Sequence, residues 1–330
     1  MIFSENKWSD GDELRPYIPI STSLSFRNMN PAFQNAFGLF IRPVMGNAVV
    51  ERLQEIYDAV VDISIIREDT DDKEIKLLYY GQRANAFLAY WYDYDELQVL
   101  IGDAGIKRQD SEKTKTPYKY QEHSLKEGFK QKGFDALDNL IAYLEENTDE
   151  FPEYLDSENY TRTKDAIVRS TQEVNGYYPV NNSRLVFLRL KPAFRVIEDT
   201  VIAPRLGAIL YNEFKEALMQ DSPDEKYLKL REKLLPVVVF YGVRKLILET
   251  GSLTDRGLFF TSLKGGDGSY MSLDPVADNR IAMQADKAEA DAISYWLLAE
   301  QYLKTAFGIP PSNAKKIPNR DNNGKKSFWA

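Results

Sequence analysis

His123 is the single histidine of this 330-residue chain, and there is no cysteine. A thiolate nucleophile, a Cys-ligated metal and a disulfide framework are therefore excluded, and a His-rich metal centre has nothing to build on. A Ser–His–Asp relay is all but excluded as well, with one histidine to draw on. His123 lies in the charged run Gln121-Glu122-His123-Ser124 and reads as a solvated helix residue. Carboxylates remain as acid–base candidates, since two positioned acids can exchange a proton with a substrate. Asp93, Asp95 and Glu96 follow Trp91 and Tyr92 at an expected helix end, and read as a solvated terminus with amphipathic aromatics. Asp69, Asp71 and Asp72 could gather at a metal, but side chains one or two apart on a helix do not face each other, and a charged turn accounts for them. Gly265-Gly266-Asp267-Gly268 lacks the Lys-Ser/Thr of a phosphate-cradling loop and reads as a hairpin turn. Gly102 to Gly105 fails in the same way as a dinucleotide motif. The sequence thus nominates no catalytic residue, no cofactor and no metal ligand.

Two basic segments have more functional character. The C-terminal stretch carries Lys315, Lys316, Arg320, Lys325 and Lys326 against one acid, Asp321, and ends Ser327-Phe328-Trp329-Ala330. Its low hydrophobicity predicts a flexible arm. Such an arm could reach a neighbouring subunit, anchored by Phe328 and Trp329. It could instead meet DNA phosphates, or be a frayed end. Lys107, Arg108, Lys113, Lys115 and Lys119 form a second basic run on an expected hairpin limb. In a ring they could line a channel or face DNA; on an isolated hairpin, lysines simply protect a strand edge. The net charge of −8 argues against affinity for nucleic acid over the whole surface. Twenty Tyr and seventeen Phe suit interfaces and cores alike. The N-terminus lacks a signal-peptide pattern, and no apolar run approaches the ~18 residues of a membrane span.

The elements that must position these groups occur twice. Tyr17-Ile18-Pro19 returns as Tyr177-Tyr178-Pro179 at an offset of 160 residues, which becomes 161 after a one-residue slip. Leu24, Phe26, Pro31, Ala32, Phe33, Ile41, Pro43, Gly46 and Glu55 then match Leu185, Phe187, Pro192, Ala193, Phe194, Ile202, Pro204, Gly207 and Glu216. At the same offset Tyr80-Gly81-Gln82-Arg83 matches Tyr241-Gly242-Val243-Arg244. A repeat of this length means two copies of one domain, the count that the chain length also predicts.

Within each copy, a proline-marked lead is expected to be extended. A helix is expected to start at Pro31 (capped by Asn30) or Pro192, where a missing N–H loses no bond. Pro43 and Pro204 are expected to interrupt it, with Gly46 and Gly207 completing a helix–turn–helix corner. A long helix follows in each copy, carrying Gly81 with Arg83, or Gly242 with Arg244. Glycine inside a helix is unfavourable by about 0.8–1 kcal/mol relative to alanine, so its recurrence suggests that another backbone passes close. The two arginines are expected to pair with a carboxylate of their own copy, or alternatively to touch a shared ligand. A β-hairpin and a closing helix complete each copy, the closing helices aligning at an offset near 159. The expected organisation is mainly α. Two tandem helical-bundle repeats (1–150 and 177–308), each with a small β-hairpin, flank a linker at 151–176 with a short helix near Thr163–Val174, and a flexible arm follows at 309–330.

At the Tyr17-x-Pro-Ile lead, the Pro31-Ala-Phe helix, the Phe40–Gly46 corner and the Gln121–Leu144 helix, the chain resembles uncharacterised proteins encoded by prophages and related elements of gut anaerobes. More remotely, in the order of its helices, it resembles the head–tail connector (head-completion adaptor) proteins of tailed phages, from which it departs in carrying two copies. The resemblance implies a non-enzymatic virion protein that forms an oligomeric ring. Its partners would be portal or tail proteins, with DNA contact in a channel and no membrane. Before assembly it would reside in the bacterial cytoplasm. A carboxylate-dependent hydrolase and a cytoplasmic protein-binding scaffold are the alternatives.

Overall fold

The computed structural model describes residues 1–21, 24–102, 105–108, 119–220, 222–250, 260–263, 271–274 and 278–308. The protein is mainly helical. α1 (Phe26–Ala36) buries Phe26, Met29, Ala32, Phe33 and Ala36, whose three- and four-residue spacing puts one apolar stripe against the core. The helix continues through a π-turn at Phe37–Ile41 into α2 (Arg42–Met45). Gly46, at φ 82°, then redirects the chain into α3 (Asn47–Ala59). That φ suits a residue without Cβ, and a Cβ there would also lie 2.9 Å from Cβ of Ser157. Asp72 caps α4 (Lys73–Tyr92), its carboxylate accepting from the N–H groups of Glu74 and Ile75. β1 (Val99–Gly102) and β2 (Gly105–Arg108) pair antiparallel, with Gly102 opposite Gly105. α5 (Lys119–Glu146) packs along α4.

Two short helices follow, α6 (Glu158–Lys164) and α7 (Thr171–Asn175), in place of the single linker helix expected. A capping box of Ser170 and Glu173 starts α7 afresh, so the chain between them does not continue the helix.

The second copy repeats the first. α8 (Arg184–Ile197) runs through a π-turn at Glu198–Ile202 into α9 (Ala203–Leu206), and Gly207, at φ 78°, leads to α10 (Ala208–Met219). The π-turns begin 161 residues apart (198 − 37 = 161), the offset of the sequence repeat. α11 (Glu225–Thr250) precedes an antiparallel pair, β3 (Phe260–Leu263) with β4 (Met271–Asp274). α12 (Asp278–Phe307) then packs along α11.

The prolines behave differently from expectation. Pro31 and Pro192 lie inside α1 and α8 instead of starting them. An interior proline costs about 3 kcal/mol. The residues on its N-terminal side offset this by burial: Phe26 and Met29 before Pro31, Phe187 and Leu190 before Pro192. Pro43 and Pro204 do not break their helices either. In each π-turn an N–H reaches back five residues, from Arg42 to the Phe37 carbonyl and from Ala203 to Glu198. The proline follows at once, where the regular four-residue ladder is already displaced. The corner itself falls at the glycines. The first lead is not extended throughout, because residues 12–17 form consecutive turns that bury Leu14.

Buried apolar residues form two main clusters, one from Ile2 to Tyr154 and one from Ile167 to Leu303. The N-terminal segment belongs to the first: Phe3 stacks on Phe33 at 4.3 Å, and the Trp8 indole N–H donates to the Leu24 carbonyl at 2.9 Å.

Candidate interaction surfaces

Four of the carboxylates weighed as acid–base or metal-binding groups, Asp69, Asp72, Asp93 and Asp95, are engaged by other groups of the chain. Asp93 is buried, contrary to the solvated terminus expected of it, and accepts from the Asn35 side-chain amide at 3.0 Å. Asp95 is exposed and pairs with Lys126 at 2.6 Å. Asp72 serves as the cap of α4, and Asp69 pairs with Arg67 at 3.1 Å. His123 is exposed on α5. Among the described residues no group of three or more His, Cys, Asp or Glu is placed to hold a metal ion, and no helix is long and apolar enough to cross a membrane.

The repeated residues are packing devices. A Cβ on Gly242 would lie 2.6 Å from Cε1 of Phe194, and one on Gly81 would lie 3.3 Å from methyl carbons of Ile2 and Leu53. The close neighbour is therefore a side chain in each copy and not a second backbone. Arg83 pairs with Glu68 at 3.5 Å and Arg244 with Glu289 at 3.1 Å. Both partners lie within the arginine's own copy, but on non-equivalent elements.

The copies meet along a seam that burial hides from solvent. Arg184, at the start of α8, donates to Asp138 of α5 at 2.8 Å, and both side chains are buried. Beside them Leu185 packs against the first core and shares a crevice with Phe134 and Asp135. The linker is fixed to both copies. Arg52 of α3 pairs with Glu74 at 2.8 Å and with Glu150 and Glu153 at 3.2 Å each, its guanidinium lying over the Phe151 ring. On the other side Lys215 of α10 binds Glu198 at 2.6 Å and Asp165 at 3.3 Å. Arg231 of α11 pairs with Glu173. Buried Glu198 also accepts from the Ile167 N–H at 3.0 Å.

A family of unknown function, DUF6712, matches residues 41–164 and again 202–311. The chain belongs to this family. The two segments begin 161 residues apart (202 − 41 = 161), at the equivalent isoleucines Ile41 and Ile202. No curated protein and no solved structure matches. Asp138 and Arg52 lie inside the first DUF6712 segment, while Arg184 and the rest of α8 lie between the two.

The N-terminal lead precedes the first DUF6712 segment and adds a buried polar network. The Tyr57 hydroxyl donates to Glu13 Oε1 at 2.6 Å and lies 2.9 Å from the Ser4 hydroxyl. The Ser4 N–H donates to Glu13 Oε2 at 3.4 Å, and the Gln82 amide donates to the Ile2 carbonyl at 2.7 Å. Sequence reasoning missed this network, because Glu13 sits in a polar run that reads as surface. Burial pushes the Glu13 carboxyl above its ordinary 4.5, against the pull of the Tyr57 hydrogen bond. A raised carboxyl pKa favours folding most below the unfolded value. That contribution is lost as pH rises through the folded value. Glu13→Gln is therefore expected to gain stability relative to the wild type as pH is raised from about 4 through the folded value of Glu13. Urea denaturation of both proteins across that range checks it, and a pH-independent difference refutes it.

Of the basic residues, Lys107 and Arg108 fall on β2. Lys113, Lys115, Lys315, Lys316, Arg320, Lys325, Lys326, Phe328 and Trp329 lie outside the described residues, as does Gly265–Gly268.

Proposed function

We propose that this DUF6712 protein is a non-enzymatic virion assembly protein, a connector or adaptor component at a head–tail junction that works as an oligomer. One observation carries the reading. Two copies of one helical bundle are held in a fixed relation by the buried Asp138–Arg184 pair, with the linker pinned to both. A subunit built this way offers related contact surfaces in a defined geometry, which repeated assembly requires. The resemblance to head–tail connectors, in the order of helices, agrees with it. In this reading the small hairpins and the basic C-terminal arm, with Phe328 and Trp329, meet neighbouring subunits, and the basic residues of both segments are available to DNA in a channel.

Light scattering and electron microscopy of the purified protein, alone and with a portal, test the proposal. The expected result is an oligomer of defined size that joins the portal. A strict monomer that never joins a portal or tail particle refutes it. Protein ending at Gly308 is expected to assemble less well at unchanged helix content. Retention on DNA that falls steeply with salt and disappears with the tail would assign the arm to phosphates instead.

A further inference from the structure

A groove of about 520 Å³ runs along the outer face of α3, over Ala48, Ile56 and Ala59. Its charge comes from Glu51, Arg52 and Glu55 of α3, Glu74 of α4 and Glu153 of the linker, one positive against four negative. Arg52 is already shared by Glu74, Glu150 and Glu153. The exposed carboxylates of Glu51 and Glu55 are engaged by no group among the described residues. They stand four positions apart on the helix, where like charges face and repel each other. A cation in the groove relieves that repulsion. The second copy has a groove in the equivalent place, about 610 Å³ beside α10, which includes Glu216, the counterpart of Glu55. Its charge has the opposite sign, with Arg162, Arg195 and Lys215 against Asp165 and Glu216. Those three cations already pair with Glu158, Asp165 and Glu198. The counterpart of Glu51 is Asn212 (51 + 161 = 212), so the like-charged pair does not recur. The repeated fold therefore makes the groove, and the first copy alone makes it acidic with two carboxylates left over.

We infer that the α3 groove receives the segment Lys325–Trp329 from the tail of a second copy of the chain. Charge and composition select this occupant. Residues 309–330, which lie outside the described residues, carry five cations against Asp321. Lys325 and Lys326 meet Glu51 and Glu55, and the aromatic side chains of Phe328 and Trp329 cover the apolar floor. The lengths agree: five extended residues span about 17 Å, and α3 rises about 16 Å from Ala48 to Ala59. Reach is sufficient as well. The seventeen residues from Gly308 to Lys325 (325 − 308 = 17) extend up to about 55 Å, more than the roughly 40 Å breadth of a domain of this size. The groove beside α10, with its cations in excess, repels the same segment. An arm of one chain in a groove of the next is a heterologous contact, which closes into a ring or runs on as a filament. The inference rests on the assembly reading above and names the place where the arm lands.

The absence of native cysteine permits a direct test. Ala48→Cys, Ile209→Cys and Ser327→Cys are made as separate full-length proteins. Ile209 is the exposed counterpart of Ala48 on α10 and serves as the control. In mildly oxidised mixtures Ala48→Cys is expected to bridge to Ser327→Cys at least about tenfold faster than Ile209→Cys does, because a docked tail holds the two thiols at high effective concentration. Adding Glu51→Lys/Glu55→Lys to the Ala48→Cys protein is expected to remove that advantage, with the far-ultraviolet circular dichroism unchanged. Glu51→Gln/Glu55→Gln, which adds no positive charge, is expected to reduce it, and so is high salt. Equal bridging at the two positions, or bridging that neither charge change moves, overturns the inference. So does a Lys107→Cys protein that bridges to Ala48→Cys faster than Ser327→Cys does, because the basic hairpin would then be the occupant. An intramolecular bridge in an Ala48→Cys/Ser327→Cys double variant, with no mixed dimer from the single variants, also overturns it, because the tail would then fold back on its own chain. A wild type that assembles into particles without the mixed bridge overturns this contact and leaves the assembly reading intact. A wild type that stays monomeric and unbridged overturns both.

Discussion

Arg184→Leu, with Asp138 left in place, is expected to lower the stability of the chain by about 3–5 kcal/mol. The pair is buried on both sides, with the guanidinium 2.8 Å from the carboxylate and 5.0 Å from the Phe187 ring centre. Removing the cation leaves a carboxylate in a place water does not reach, and that uncompensated charge accounts for most of the loss. Asp138→Leu/Arg184→Leu is expected to recover most of it, because two apolar groups of similar size strand no charge. Urea denaturation separates the cases. The single variant should also split unfolding into two transitions as the copies lose their lock, while the double variant should keep one. Equal losses in the single and double variants would show that the pair's charge is not what matters. This result bears on function, since a chain whose copies move independently cannot present its outer faces in a fixed geometry.

Gly242→Ala is expected to destabilise the protein by about 1–3 kcal/mol, the usual cost of overpacking. Gly81→Ala should change stability little. Both glycines occupy the same place in the repeat, and alanine gains about 0.8–1 kcal/mol of helix propensity at either. What differs is the neighbour. At Gly242 the new methyl meets the rigid Phe194 ring, 2.6 Å from Cε1. At Gly81 it meets the ends of Ile2 and Leu53 at 3.3 Å, which can shift by a few tenths of an ångström. Phe194→Leu in the Gly242→Ala background should restore part of the loss. Thermal denaturation of the four proteins decides it, and equal effects at Gly81 and Gly242 would refute the packing account.

The resemblance between copies is closest where local rules act. Gly46 and Gly207 have φ of 82° and 78° because the corner needs a residue without Cβ, and the sequence marks that corner in both copies. The pairing of Arg83 and Arg244 within their own copies was also legible, although their partners Glu68 and Glu289 were not. The prolines misled because a rule for isolated helices was applied to helices held by burial. A π-turn cannot be read from Pro43 or Pro204 alone, since it is a property of the hydrogen-bond ladder and not of one residue.

Residue type and spacing by themselves determined the duplication, the helical class and the glycine corners, because steric limits on φ and the apolar stripe of a helix act over a few residues. Only the tertiary structure decided which faces meet. Asp138 looks like a surface acid until Arg184, 46 positions later, closes over it, and Glu13 looks solvated until Tyr57, 44 positions later, buries it. The physical reason is that periodicity reports which side of a helix avoids water but not what covers it. Burial of a charge depends on a partner brought from far along the chain, and no local pattern encodes that distance.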